Sequence, residues 1–280
     1  MKSLHSNMKH KLLSFLVMGM VLPILMVGAQ AAETENSLTV EEIISRANTV
    51  SYYAGDDGRS DARMMIMDKD GNRQLRQFAI LRKDIEDEGD QNFLVVFSRP
   101  SDVRGTVFLV NKHVDRDDDR WLYLPGLDLE KRISAGDKRT SFVGSDFFYE
   151  DVSGRNPALD NHELLEVSDT AYIVKNIPLD KSNVEFAYYI ANINKETFLP
   201  MTVEYYNDKG EVYRRMDVAE VEEVQGIPTV MKSKISNLET GSVTFMEFRR
   251  PVYNIGVPED VFTSRSLRNP PREWLEAEKE

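Results

Sequence analysis

The sequence predicts a mainly β protein: a curved antiparallel sheet or incomplete β-barrel of about ten or eleven strands, covered by a few helices. Three observations predict the sheet. From Ala62 onward the apolar period is two residues, in segments of roughly six to ten residues separated by turn signals. Several segments are bulky at every position, Phe93-Leu94-Val95-Val96-Phe97 and Phe186-Ala187-Tyr188-Tyr189-Ile190 among them, so both faces of those strands need a cover. Helical periodicity is scarce, which leaves curvature, one helix and intervening loops to provide that cover.

The N-terminus carries Lys2, Lys9 and Lys11, then an uncharged run from Leu12 to Val27 rich in Leu, Met and Val. That run is about sixteen residues, short of the roughly twenty a bilayer span needs. It ends in Ala29-Gln30-Ala31, with small residues where signal peptidase requires them. The reading is a signal peptide over 1–31, cleaved after Ala31, and a single domain over 32–280 that works in the Gram-negative periplasm. An uncleaved anchor is the alternative, and the polar Ala32-Glu33-Thr34-Glu35-Asn36 that follows at once speaks against it.

Leu38-Thr39-Val40-Glu41-Glu42-Ile43 reads as a helix start, with Thr39 as N-cap, Glu42 closing a capping box and Leu38 stapling to Ile43. The helix spans 38–50, and Val40, Ile43, Ile44, Ala47 and Val50 give it one apolar face. Hairpins follow: Met64–Met67 and Gln74–Leu81 flank Asp68-Lys69-Asp70-Gly71, and Met201–Tyr206 and Val212–Val218 flank Asn207-Asp208-Lys209-Gly210. Further strands are expected at Phe93–Phe97, Thr106–Lys112, Trp121–Leu124, Ala171–Lys175, Val184–Ile193, Thr229–Ser236 and Ser242–Arg249. Residues 270–280 read equally as a short helix docked through Trp274 and Leu275 or as a frayed tail.

The chain has a formal net charge of −12, and loss of the leader's three lysines makes it more negative still. Nucleic acid is excluded as a partner, because its phosphates need a Lys/Arg surface and the basic residues here are dispersed among carboxylates. Anionic headgroups are not held by charge alone either, so any lipid contact is apolar. With no cysteine, disulfides, thiolate nucleophiles and Cys-based zinc sites are all absent. A chain of this size buries roughly 70 to 75% of its unfolded surface, enough for a core without staples.

No catalytic constellation stands out. Asp115, Asp117 and Asp119 alternate like a calcium loop, but position six is Arg120 in place of Gly and position twelve is Gly126 in place of Glu, which fits a solvated turn. His113 and His162 are too far apart in sequence for a helical zinc pair. Gly144-Ser145-Asp146 lacks the nucleophile elbow, so Ser145 reads as a helix cap. No metal, cofactor or catalytic residue is expected, and the protein reads as a non-enzyme.

The most informative stretch is central: Trp121-Leu122-Tyr123-Leu124-Pro125, then Arg132-Ile133, then Ser141-Phe142-Val143-Gly144-Ser145-Asp146-Phe147-Phe148-Tyr149-Glu150-Asp151. Ser145 or Asp146 would cap a short helix there and leave Phe147, Phe148 and Tyr149 close together. This stretch resembles the LolA-like family of outer-membrane lipoprotein-sorting proteins, with the likeness running from Thr39 to Phe262 and its specific motif within Thr106–Asp151. The resemblance implies a periplasmic half-barrel lidded by helices whose cavity shields acyl chains of a lipid or lipoprotein in transit, handed on to an outer-membrane receptor. In some relatives it implies an accessory role to an inner-membrane transporter of the RND type. The carrier's gating arginine has no residue-by-residue counterpart, since Arg99, Arg104 and Arg132 all stand near the motif.

Phe97, Phe108, Trp121, Tyr123, Phe142, Phe147, Phe148 and Tyr188 are the ligand-cavity candidates, with Phe245 and Phe248 in the same class; the alternative is a filled aromatic core. The resemblance favours Trp121, Tyr123, Phe147 and Phe148 among them. Strand facing decides the matter, and one register slip inverts it. A monomer is expected.

Overall fold

The computed structural model describes residues 38–276. The expected leader over 1–31 lies outside the described residues. Thirteen strands form one open, curved antiparallel sheet. One meander comprises β1 (Asp57–Met67), β2 (Arg73–Asp84), β3 (Gln91–Arg99), β4 (Val107–Lys112), β5 (Asp119–Leu124) and β6 (Leu129–Ile133). The other comprises β7 (Asp160–Val167), β8 (Ala171–Pro178), β9 (Tyr188–Asn194), β10 (Pro200–Tyr206), β11 (Val212–Val224), β12 (Ile227–Asn237) and β13 (Ser242–Tyr253). They join where β1 pairs with β13, in a register that sets Ala62 opposite Phe248 and Met64 opposite Met246. The two sheet edges are therefore β6 and β7, consecutive in sequence and at opposite ends in space.

Eleven of these strands coincide with segments expected from the sequence; β6 and β7 do not, and the reason is physical. An edge strand has a free row of backbone groups, and charges there block further pairing. Accordingly β6 reads Leu-Glu-Lys-Arg-Ile with only Ile133 buried; β7 is also largely exposed beyond Asp160 but mixes Glu163 and Glu166 with Leu164, Leu165 and Val167, so its apolar residues follow no two-residue period.

Helix α1 (Val40–Tyr52) begins with the expected capping box: Glu42 N–H donates to Thr39 Oγ1 at 3.2 Å and Thr39 N–H to Glu42 Oε2 at 2.8 Å. Its buried Ile43 and Ala47 pack on Val174, Ala191, Ile193 and Val203 of β8–β10, with Leu38 beside them. That sheet face, here the inner face, is covered further along by the segment 134–159, which crosses from the β6 edge to the β7 edge. Phe142 and Tyr149 from this crossover enter a core with Ala62, Met64, Phe78, Phe97, Phe108 and Leu122.

The outer face of β2–β5 has its own cover. Leu81, Leu94, Val107 and Leu109 pack under Val257, Val261, Phe262 and Leu267, and the short helices α3 (Arg265–Arg268) and α4 (Arg272–Leu275) complete the layer. Buried Asp57 anchors this segment by accepting from the backbone N–H groups of Ile255, Gly256 and Val257, at 2.7, 3.2 and 2.8 Å. Residues 272–275 are thus a docked helix, with Trp274 and Leu275 against the outer cluster. Segment 93–97 thus has the two covers its sequence calls for, one of them the C-terminal segment rather than a loop within the meander; segment 186–190 has only one, and its outward Tyr188 is half-exposed, because an aromatic pair with Tyr206 takes the place of a second layer.

Candidate functional site

The crossover is shaped by the motif residues. Its helix, α2 (Tyr149–Ser153), starts later than a Ser145 or Asp146 cap would place it: Phe148 N–H donates to Asp151 Oδ2 at 2.6 Å, and Ser145 Oγ instead closes the preceding turn by accepting from Phe147 N–H at 3.2 Å. Asp146 staples the turn to β13, where Thr244 Oγ1 and Ser242 Oγ donate to its carboxylate at 2.8 and 2.5 Å. Gly154 ends α2 at φ +77°, and a Cβ there would lie 2.4 Å from Tyr52 Cζ, so only glycine lets the end of α1 close on the crossover.

Three consecutive aromatics consequently go to three places. Tyr149 joins the core, Phe148 lies between the guanidinium groups of Arg214 (4.3 Å) and Arg139 (5.1 Å), and Phe147 faces a cavity. That cavity, about 310 Å³, lies on the inner face beneath the C-terminal turn of α1 and the crossover. Ile80, Phe93, Phe147, Val152, Met216 and Phe248 give it apolar walls. A second chamber of about 190 Å³ adjoins it, sharing Ser51, Tyr52, Phe147, Asp151, Pro200 and Met216. Ile44, Ala47, Ala191, Val203 and Ile235 line its apolar side, and Arg139, Glu150, Asp151, Arg155, His162 and Tyr205 its polar end.

The polar end belongs to a buried ion network that ties the crossover to the second meander. Arg139 donates to both oxygens of Glu185 at 2.6 Å and to Glu150 Oε2 at 2.8 Å. Arg155 clasps Asp160 at 2.8–2.9 Å, and Arg214 donates to Asp151 Oδ2 at 2.5 Å. Burial alone would raise the Glu150 carboxyl, but Arg139, Lys138 and Arg155 outweigh it and hold the group below the usual carboxylate range. Burial raises the Tyr205 phenol, so it stays protonated. Further along, Lys112 Nζ is buried beside the rings of Tyr52 (5.1 Å) and Tyr53 (5.6 Å) and donates to Ser153 O at 2.8 Å.

The mouth of α1 is held from the sheet. Arg82 donates to the carbonyls of Tyr52, Ala54 and Gly55, and Gln91 Nε2 donates to Tyr52 O at 2.7 Å. Tyr52 O is one of the unpaired C-terminal carbonyls of the helix, and Ala54 and Gly55 belong to the turn that follows it.

Among the sequence candidates, Phe147 lines both chambers and Phe248 the larger. Phe97, Phe108 and Phe142 are essentially fully buried and interlock, with Phe142 5.7 and 5.4 Å from the other two rings. Trp121 and Tyr123 are on the outer face beneath the C-terminal segment, away from the cavity, with Arg132 and Arg268 over their rings. Tyr188 is also on the outer face, stacked 4.6 Å from Tyr206, while its neighbour Tyr189 points inward to Asp160. Phe245 is an exposed outer residue. Arg99 and Arg104 are exposed and Arg132 pairs with Asp119, whereas the arginines at the two chambers are Arg59, Arg82, Arg139, Arg155 and Arg214. Tyr52, Met216 and Tyr205 also line it and lay outside the sequence candidates; the turn at the end of α1 and the inward alternation of β10 and β11 are the signals that reach them.

Asp119 of the acidic stretch is engaged by Arg116 at 3.0 Å and Arg132 at 2.6 Å, and Asp118 by Arg120. Among the described residues no group of three or more His, Asp or Glu side chains is placed to hold a metal, and no helix is long and apolar enough to cross a membrane.

An open, curved antiparallel sheet with a helix and a crossover laid over one face is the LolA-like class of fold. The solved structures agree. A DUF1329 family protein from Desulfovibrio piger is similar at 27% identity and TM-score 0.74, covering 82% of this chain and 100% of that one. A domain from Vibrio parahaemolyticus named for outer-membrane lipoprotein sorting is similar at 25% identity and TM-score 0.74, covering 81% and 97%. A LolA superfamily protein from Nitrosomonas europaea shares the fold at 18% identity and TM-score 0.64, covering 82% and 99%. No curated protein matches the chain. The profile of a family described as "-like: Uncharacterized protein" matches residues 89–269, well over half of the chain. The chain belongs to that family, whose fold is LolA-like.

Proposed function

We propose that this protein is a non-catalytic periplasmic carrier or chaperone of the outer-membrane lipoprotein-sorting type, which shelters the acyl chain of a lipid or lipoprotein between the sheet and its α1–crossover cover. The observation that carries the proposal is the pair of adjoining chambers, about 310 and 190 Å³ with largely apolar walls, where α1 and the crossover meet over the sheet. Together they fall in the size range of small-molecule sites, about 300–1,000 Å³. Each buried methylene contributes about 0.8 kcal/mol, so a partly enclosed acyl chain gains several kcal/mol after ordering losses, which suits reversible transfer. The basic, apolar leader and the sorting-named relative support the periplasmic setting.

Native mass spectrometry of protein purified from a periplasmic extract, followed by lipid analysis of the released ligand, tests the proposal. A stoichiometric acyl-bearing adduct is the expected result. A clean apo mass with no uptake of added lipid would refute it, and would point to the sheet as a docking surface for an envelope transporter.

A further inference from the structure

We propose that the outer face of β13, β1 and β2 docks on an anionic phospholipid bilayer, seating a headgroup phosphate at Arg63 and Arg272 and laying Met65, Leu75 and Phe245 on the apolar boundary below the headgroups. This goes beyond the carrier reading, because it concerns the face of the sheet opposite the chambers. Facing follows from register. Ala62, Met64 and Met246 belong to the inner core, so their neighbours Arg63, Met65 and Phe245 point outward.

An outer pocket of about 430 Å³ opens where the end of the C-terminal segment meets the sheet. Arg59 builds it by donating twice to Leu275 O, at 3.1 and 2.7 Å, which holds α4 against β1. Arg63, Arg249, Arg250 and Arg272 line the pocket together with the carboxylates Asp61 and Glu276, an excess of two positive charges. Asp61 is already engaged by Arg59 and Arg250, and Arg249 by Glu247. Arg63 and Arg272 are exposed and form no salt bridge among the described residues. Two uncommitted guanidinium groups on one pocket suit a phosphate, whose oxygens accept their paired N–H donors.

Beside the pocket the same face turns apolar. Leu75, Met65 and Phe245 stand opposite one another on β2, β1 and β13, and Met67 and Val243 form the row beyond. Leu75 is 41% and Phe245 36% exposed, and neither joins a buried cluster. Arg73 opposite Met67 and Arg99 opposite Gln77 rim these rows, again without a salt bridge among the described residues. Phosphate-binding groups next to an exposed apolar row match the layering of a bilayer surface, where arginine stems lie along apolar surface and their heads reach the phosphates. An acidic peptide fits less well, because β1 is paired on both sides and offers no free edge for a strand to join. The negative net charge of the chain is screened beyond about 8 Å at physiological ionic strength, so the local arginines decide at contact.

The experiment is flotation of the protein purified from a periplasmic extract with vesicles of phosphatidylglycerol and phosphatidylethanolamine, and with vesicles of phosphatidylcholine. Binding to the anionic vesicles is expected to be about tenfold tighter and to weaken as salt is added. Arg63→Glu with Arg272→Glu is expected to abolish that preference, and Phe245→Ser to weaken binding several-fold. Lys131→Glu with Lys181→Glu makes the same change of charge elsewhere on the surface and is expected to leave most of the binding intact. Equal losses in the two double variants, equal binding to both kinds of vesicle, or binding to neither would overturn the proposal. So would release of the protein by glycerol phosphate at the concentration of the lipid phosphate, which would make the pocket a site for a free phosphate ester. None of these outcomes touches the carrier reading, whose test is the mass of the ligand in the chambers.

Discussion

The meander β1–β6 and the meander β7–β13 share one sheet and one pairing pattern, yet they are buried in different ways. Strands β2–β5 are covered twice, by the crossover on the inner face and by the C-terminal segment on the outer. Strands β8–β11 are covered on one face only, by α1 and the end of the crossover, and their outer face carries exposed ion pairs such as Arg215 with Glu204 and Asp217, and Glu220 with Lys232 of β12. The double layer makes the first half a fixed support. The single layer leaves α1 as the thinner cover, and the chambers open where α1 and the crossover meet. Local opening is drawn from elements with the fewest buried contacts. A carrier needs such asymmetry: one side that keeps its shape and one that yields to a ligand.

The comparison predicts the largest loss in the doubly covered half. Phe142 is 1% exposed among four other aromatic rings, so Phe142→Ala is expected to cost about 3–5 kcal/mol in urea unfolding. A loss below about 1 kcal/mol would show that the crossover merely rests on the sheet. Leu267→Ala tests the outer cover, where a fully buried leucine is expected to cost about 2–5 kcal/mol. Glu150→Gln tests the junction between the halves. It leaves Lys138, Arg139 and Arg155 short of an anion, and the loss expected from breaking a buried network is about 3 kcal/mol.

A pH measurement sharpens the same contrast at the edge of the first half. Burial pushes the Lys112 ammonium down to about 8. In the unfolded chain the group stays protonated up to the usual lysine range, so between about pH 8 and 10 the unfolded state binds more protons than the folded one. Stability attributable to Lys112 therefore rises with pH across that window. Lys112→Met is expected to remove this rise and to be more stable than wild type below pH 8. An unchanged slope in denaturant titrations at pH 7.5, 8.5 and 9.5 would show that the ammonium is solvated.

How much of this was legible in the sequence follows the same division. Phe93–Phe97, apolar at every position, announced two covers, and Thr39 with Glu42 announced the start of α1. The edge β6 was silent because charge protects an edge by erasing the periodic signal, and β7 because its adjacent Leu164 and Leu165 break the alternation. Among aromatics, Phe147 at the cavity and Trp121 beneath the C-terminal segment are indistinguishable by type, because facing is a property of register. Tyr188 and Tyr189 show how fine that line is: adjacent residues, one outside and one inside. The ion network was illegible for a different reason, since it assembles Arg139, Glu185 and Arg214 from segments far apart in sequence whose charges look like ordinary surface charge.

The smallest effect is expected on the bare outer face of the second half. Tyr188 stacks on Tyr206 at 4.6 Å across β9 and β10, with the Lys175 ammonium 4.6 Å from its ring centroid and no covering layer above the pair. A cross-strand aromatic pair on an exposed face contributes about 0.2–1 kcal/mol, because little of its surface is removed from water. Tyr188→Ala is thus expected to shift the urea midpoint by less than a quarter of what Phe142→Ala does, although both remove one aromatic ring. Should Tyr188→Ala prove as damaging as Phe142→Ala, that face would be a buried one in the working protein, and the division into a two-layered and a one-layered half would fail.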